Sequence, residues 1–398
     1  MPDQTKDPVA EGTSNVPAEL CDPVHHLENE TDKLAEGMAL CLSGGGYRAM
    51  LYHTGVLWRL NEIGLLPRLN RISSVSGGSI TAGVLALNWK DLKFTNGTAE
   101  NFEEVIVKPI QQLADRTIDV SSVVIGSLWF GSVGDQIAES YRKYLFGNAT
   151  LQDIVDEVPG ASPRFVFNAT NVQSGVLWRF MKPYMRDYRV GEVLKPKVDL
   201  AVVVAASSAF PPVLSPVELN LNPNDFTPNS GTLDGNHYRT QVVLTDGGVY
   251  DNLGLETAWK RYKTIFVSDA GGGFTAEPDP KRDWVRHSAR ILFIIDNQVR
   301  SLRKRQIVGA YLAKTRSGAY WSIGENLDAF QAQNPLQCPS AKTSELAAID
   351  TRLLKLDPVT QQRLINWGYA SSAWRYRQYY DPSGVAPSRF PFSDAGIG

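Results

Sequence analysis

The stretch MALCLSGGG, residues 38–46, decides the fold class. Its apolar run Met38–Leu42 ends abruptly at Ser43–Gly46, which is typical of a buried parallel strand that runs into a loop. Apolar residues then recur at helical spacing from Met50 to Ile63, and a second strand, Arg71–Val75, precedes a second apolar helix. Two strand–loop–helix units in about fifty residues predict parallel pairing with right-handed crossovers.

The rest of the chain extends this pattern. We expect helices over much of residues 99–150 and over residues 346–380, and a long polar loop over residues 219–238. Short β-branched runs bounded by Gly, Asp or Asn predict further strands at residues 164–170, 200–204, 241–245, 263–268 and 290–295. The predicted fold is a three-layer α/β sandwich with a mostly parallel sheet between two helical layers and a helical C-terminal extension.

Composition excludes several classes of protein. The chain has 398 residues, 43% hydrophobic, and a net charge of −2, so no overall field attracts nucleic acid. Its three cysteines are far apart and follow no CxxC or CxxH spacing, which argues against a disulfide framework and a zinc site. The N-terminus is polar and acidic, and no run of about 18 apolar residues occurs. We expect a protein of the cytoplasm or of a membrane surface, without a transmembrane segment.

Three units are predicted along the chain. Residues 1–35 form a flexible acidic leader, residues 36–270 a catalytic domain, and residues 271–398 an extension packed on the same unit. Within the first half, the apolar segment 120–130 fits either a lid or interfacial surface, or a core helix. The basic cluster at residues 300–305 is interpreted as a solvated helix face rather than a headgroup site.

Three short segments at strand ends contain the residues for catalysis. Gly44–Gly46, followed by Arg48, places consecutive amides before a helix and forms an anion cradle. Ser76 lies in a strand-to-helix turn rich in small residues, which resembles a nucleophile elbow. Asp246 follows another strand and is itself followed by two glycines. Because histidines are few and not placed for a triad, we interpret Ser76 and Asp246 as a catalytic dyad.

In this order, the three segments resemble the patatin-like phospholipases, over roughly residues 38–260. The resemblance implies acyl-ester hydrolysis of phospholipids or related lipids, of the phospholipase A or lysophospholipase type, with a lipid or membrane-surface substrate and with no metal or organic cofactor. It implies Ser76 and Asp246 as catalytic residues. It also implies an oxyanion hole formed by Gly44, Gly45 and Gly46. The supporting residues that it implies are Arg48, Gly78, Gly247 and Gly248. Two positions depart from the family pattern: Ser74 replaces the first glycine of the elbow, and Ala49 replaces the last glycine of the first loop.

Other interpretations stay open. The glycine loop is also compatible with a nucleotide-binding oxidoreductase, although that fold needs an acidic residue where Ser74–Ser76 lies. A patatin-like effector that is silent until a signal or membrane binds is the other alternative. We expect His53 to be a hydrogen-bonded packing residue, His237 to be solvated, and Asp269, before Gly271–Gly273, to form a structural turn.

Overall fold

The computed structural model describes residues 34–118, 133–211, 214–274, 276–328 and 336–398. The strands are β1 Ala35–Leu42, β2 Arg71–Ser74, β3 Phe94–Thr95, β4 Thr98–Ala99, β5 Arg164–Asn171, β6 Val176–Phe180, β7 Tyr184–Asp187, β8 Gly191–Leu194, β9 Val217–Asn220, β10 Gln241–Asp246, β11 Tyr262–Asp269 and β12 Ser317–Ser322. The helices are α1 Gly46–Glu62, α2 Gly77–Asn88, α3 Lys108–Ala114, α4 Val133–Tyr141, α5 Leu200–Ser207, α6 Asn236–Arg239, α7 Gly248–Asp251, α8 Glu256–Trp259, α9 Trp284–Leu312, α10 Ser340–Ala347 and α11 Pro358–Tyr379. The predicted leader and the apolar segment 120–130 lie outside the described residues, apart from the end of the leader.

One sheet organises these elements, in the order β12-β11-β1-β2-β5-β6-β7-β8. The pairings from β12 to β5 are parallel, as the repeated strand–loop–helix pattern predicts, and those from β5 to β8 are antiparallel. Strand β10 pairs antiparallel with β5 and with β9. The predicted fold class, α/β with a mostly parallel central sheet, is therefore confirmed, and the antiparallel extension adds to it.

Strand β1 shows why the sheet has helices on both faces. Its side chains alternate between two separate cores, with Leu40 and Leu42 in one and Ala39 and Cys41 in the other. Since successive residues of a strand point to opposite faces, a strand with no exposed face must be covered twice.

The C-terminal helix α11 packs closely on α1. A Cβ atom added to Gly55 would lie 1.8 Å from the Ile365 carbonyl oxygen, and one added to Gly368 would lie 1.8 Å from that of Tyr52. The two backbones therefore touch at a crossing that only glycine allows.

Two predicted strands are wrong, since residues 200–204 belong to α5 and residues 290–295 belong to α9. A short apolar run has the same pattern in a buried strand and in a buried helix, so α5 could not be separated from a strand by periodicity. In α9 the apolar run is one part of a 29-residue helix. Asp283 caps its N-terminus, and its carboxylate accepts a hydrogen bond from the Arg286 amide at 3.1 Å.

Candidate active site

The pairing of β2 and β10 with β5 places Ser76 and Asp246 close together. Strand β2 pairs with the first half of β5, where Ser74 lies opposite Phe167. Strand β6 occupies the other edge of β5 from Phe167 to Asn171, so β10, which pairs with β5 at Ala169, must lie on the β2 edge. Strands β2 and β10 therefore meet end to end beside β5. Ser76, two residues beyond Ser74, and Asp246, opposite Ala169, face each other across the gap.

Ser76 has a strained backbone, in the turn that was predicted to be a nucleophile elbow. Its φ of 50° and ψ of −119° are rare for a residue with a side chain, and α2 begins at the next residue. Its amide donates to the carbonyl oxygen and hydroxyl of Ser207, both at 3.1 Å. The Ser207 hydroxyl donates to the Asn168 carbonyl at 2.6 Å. This buried network fixes the strained turn, and Ser207 is a positioning residue that the sequence analysis did not identify.

The small residues of the elbow are required by close packing. A Cβ atom on Gly78 would lie 2.5 Å from the Leu42 carbonyl oxygen, and one on Gly77 would lie 2.3 Å from that of Gly46. The departure at Ser74 is accommodated, because its hydroxyl is buried and donates to the Val166 carbonyl at 3.2 Å.

Asp246 is a buried carboxyl with one free oxygen. The Gly248 amide donates to Oδ1 at 2.6 Å, whereas Oδ2 has no hydrogen-bond partner among the described residues. A Cβ atom on Gly247 would lie 2.3 Å from the Asn168 carbonyl oxygen, so this turn also needs glycine. Burial raises the pKa of Asp246 to about 7, with a smaller upward effect of Asp296; the Gly248 amide and the nearby Ser76 hydroxyl oppose the rise.

The glycine loop supplies two free amides rather than three. The Gly44 amide donates to Asn252, to the carbonyl oxygen at 3.1 Å and to Oδ1 at 3.2 Å, so it is already used. Gly45 and Gly46, with φ of 143° and 61°, have amides that donate to no acceptor within the described ranges. The geometry therefore favours Gly45 and Gly46 over Gly44 as oxyanion donors.

Arg48 holds this loop in place. Its guanidinium donates to the Ala270 carbonyl at 3.1 Å, to the Ile349 carbonyl and to the Thr351 hydroxyl at 2.9 Å. The Tyr47 amide donates to the Arg352 carbonyl at 3.0 Å. Arg48 thus orients the loop rather than facing an open phosphate site, and it links the loop to a segment of the C-terminal extension.

The cavity at Ser76 has a volume of about 240 Å³. Asp246, Gly45 and Asn252 line it, together with residues of the extension, namely Gly271, Gly272, Gly273, Phe274, Arg290, Phe293, Asp296, Asn297 and Thr351. A larger cavity of about 880 Å³ lies between α1 and the C-terminal tail, but it contains none of the predicted catalytic residues. We place the candidate site in the smaller cavity because Ser76, Asp246 and Gly45, three of the predicted site residues, line it.

The remaining candidates take structural roles. His53 is buried and hydrogen-bonded through both ring nitrogens, to Ser268 at 2.8 Å and to the Ser43 carbonyl at 2.9 Å, and burial lowers its pKa to about 4. It is the packing histidine that was predicted. Asp269 forms the predicted turn, accepting from the Gly271 amide at 3.0 Å and from the Tyr320 hydroxyl at 2.5 Å. His237 is exposed.

Comparison with known protein families identifies the family of the chain. A model of the patatin-like phospholipase family matches residues 40–259, more than half of the chain. The chain belongs to the patatin-like phospholipase family. This membership supports the hydrolysis of lipid acyl esters. The sequence has no match among curated proteins.

Three solved structures are similar over part of their length. Human GIVD cytosolic phospholipase A2 shares 13% identity, with 62% of this chain and 47% of that chain covered and a TM-score of 0.40. VipD from Legionella pneumophila shares 15%, covering 87% and 67%, with a TM-score of 0.38. The type III effector protein ExoU shares 11%, covering 87% and 54%, with a TM-score of 0.30. This patatin-like chain spans about half the length of the human enzyme.

Neither a membrane span nor a metal cluster is found in the described ranges. None of the helices there combines the length and apolar character needed to cross a bilayer. No group of three or more His, Cys, Asp or Glu side chains in those ranges is arranged to hold a metal ion.

Proposed function

We propose that this protein is a serine hydrolase that cleaves acyl esters of phospholipids or lysophospholipids through a Ser76–Asp246 dyad. The observation that supports the proposal most strongly is that Ser76, on a strained turn, lies beside a buried carboxyl whose Oδ2 has no hydrogen-bond partner among the described residues. A carboxyl with a pKa near 7 can accept a proton and return it near neutral pH.

The proposed reaction has two halves. Asp246 accepts the Ser76 proton as Oγ attacks the ester carbonyl carbon, and the amides of Gly45 and Gly46 stabilise the oxyanion. The tetrahedral intermediate collapses, the bond to the alcohol breaks, and Asp246 returns the proton to the leaving oxygen. Water then attacks the carbonyl carbon of the acyl-enzyme while Asp246 accepts its proton. The bond from that carbon to Ser76 Oγ breaks, Asp246 returns the proton to Oγ, and the fatty acid is released.

A second candidate is the same enzyme held silent until a signal or membrane binds. A cavity of about 240 Å³ is smaller than the roughly 300–1,000 Å³ that usually holds a drug-sized ligand, so a phospholipid needs a wider opening. Activity that appears only with added vesicles would favour this version.

Release of fatty acid from phosphatidylcholine and lysophosphatidylcholine, measured by mass spectrometry, tests the proposal. Ser76→Ala should lower the rate by at least about 1,000-fold, as loss of a nucleophile does. Ser140→Ala is a suitable control, since Ser140 lies on α4, does not line the cavity at Ser76, and donates to the Gln136 carbonyl within its own helix at 3.0 Å. Equal rates in the Ser76 variant and the native protein would contradict the proposed dyad.

A further inference from the structure

Helix α9 presents an apolar stripe to solvent. Trp284, Ile291, Ile295 and Leu302 follow one another at spacings of seven, four and seven residues, which places them on one face of the helix. Their exposed fractions are 80%, 41%, 53% and 59%. At about 1.5 Å per residue the stripe is about 27 Å long, and an exposed apolar face of this size marks an interaction surface.

Basic residues surround the stripe. Residues 281–305 contain eight Lys or Arg and two Asp, although the whole chain has a net charge of −2. Several of these cations are held by ion pairs within the protein, such as Arg303 with Glu256 at 2.8 Å. Exposed cations lie at both ends of the stripe, namely Lys281, Arg282, Arg286, Lys304 and Arg305, of which Arg286 is paired with Asp283 at 2.6 Å. An apolar face with cations at its edges is complementary to an anionic lipid surface.

The same helix forms a wall of the candidate active site. Its inner face places Phe293 and Asp296 in the cavity that contains Ser76, and the Phe293 ring stacks on Phe210 with centroids 5.6 Å apart. The two buried residues of α9, Ile307 and Ala310, lie near its C-terminal end, so most of the helix keeps an exposed outer face. A surface bound to the stripe would therefore lie beside the cavity.

We propose that the outer face of α9 docks on an anionic phospholipid bilayer, with Trp284 and the aliphatic residues in the acyl–headgroup boundary and the flanking cations against the headgroups. This inference rests on the proposed function for its choice of a bilayer as the partner, because a lipid hydrolase must reach its substrate at an interface. The tryptophan at the exposed end favours the same partner, since its ring prefers the boundary between water and acyl chains.

Co-sedimentation of the full chain with vesicles tests the docking surface, in a Ser76→Ala background that prevents hydrolysis. Vesicles of phosphatidylcholine mixed with phosphatidylserine should bind the protein, and added salt should weaken the binding. Trp284→Ser combined with Leu302→Ser should weaken it by at least about tenfold. Leu194→Ser is the matched control, because Leu194 is the same residue type, is 58% exposed and lies on the strand at the far edge of the sheet.

Two outcomes would overturn the docking surface. The first is equal vesicle binding by the stripe variant and the Leu194 control. The second is that vesicles bind neither the unaltered stripe nor the stripe variant, while the unaltered protein self-associates with rising concentration and the stripe variant does not. Fluorophosphonate labelling without vesicles separates this inference from the proposed function. The stripe variants with Ser76 intact should label like the native protein. Vesicle binding by a native protein that stays unlabelled even with vesicles present would contradict the dyad and leave the docking surface standing. Labelling without vesicle binding would support the dyad and overturn the docking surface.

Discussion

Replacing Asp246 with asparagine should stabilise the folded protein, and more so at pH 8 than at pH 5. Burial raises the pKa of Asp246 to about 7, from an ordinary value of 3.8. Between these two values the folded chain keeps a proton that the unfolded chain has released, so stability falls as pH rises through this window. Because asparagine does not titrate, the variant does not lose this stability as pH rises.

The size of the effect follows from the two pKa values. A difference of about 3 units corresponds to about 4 kcal/mol once both states have titrated near pH 8, and to about 2 kcal/mol at pH 5. Asparagine places an amide where Oδ2 has no hydrogen-bond partner within the described part of the chain, which costs about 1–2 kcal/mol, equally at both pH values. The gain from Asp246→Asn should therefore be about 2 kcal/mol larger at pH 8 than at pH 5.

Urea unfolding of the native protein and the variant at pH 5 and pH 8 measures this difference. Asp357→Ala is the control: Asp357 accepts from the Thr360 amide at 3.0 Å at the start of α11, and that hydrogen bonding lowers its pKa. Since that carboxyl is ionised in both states at both pH values, its loss should cost about 1 kcal/mol at each. A stability change for Asp246→Asn that is equal at the two pH values, or larger at pH 5, would refute the reasoning.

Three further predictions concern the surroundings of the dyad. Asp296→Asn removes a charge that raises the pKa of Asp246, so the acid limb of the pH–rate profile with a soluble ester should move to lower pH. An acid limb that stays in place or moves to higher pH would contradict this effect of Asp296. Arg48→Ala should lower kcat about 100-fold, because the glycine loop loses the hydrogen bonds that orient it. Arg48→Lys should restore little activity, because one ammonium group cannot replace the forked guanidinium. Full activity in either variant would show that the loop keeps its conformation without Arg48. Gly55→Ala should destabilise the protein by about 3 kcal/mol in urea unfolding, since no space exists between α1 and α11, and a neutral effect would mean that the extension does not pack there.

The parallel half of the sheet could be predicted because its sequence signals are local. The run Met38–Leu42 and the glycines after it define a strand and its loop within nine residues, and the turn at Ser76 is defined in the same way. The antiparallel strands β6 to β8 were not predicted, because their short segments interleave charged residues such as Arg179 and Arg186 with apolar ones, and only their pairing with β5 organises them.

The residues of the site that were missed come from distant parts of the chain. Phe293 and Asp296 reach the cavity from a helix whose apolar run was interpreted as a strand, and Thr351 reaches it from a loop with no motif. Their roles depend on how α9 and the segment after α10 pack against the catalytic residues. No local sequence pattern predicts that packing. Gly44 shows a second limit of prediction from sequence. A glycine motif does not reveal which of its amides will donate to Asn252 and so be unavailable to a substrate.

The most direct test of the central claim is the intact mass of the protein after treatment with a fluorophosphonate, which reacts covalently only with an activated serine. The account predicts one adduct on the native protein, located at Ser76 by peptide mapping, and none on Ser76→Ala or Asp246→Asn, with or without anionic vesicles. An adduct that persists in Ser76→Ala, or a native protein that stays unlabelled even with vesicles present, would contradict the Ser76–Asp246 dyad.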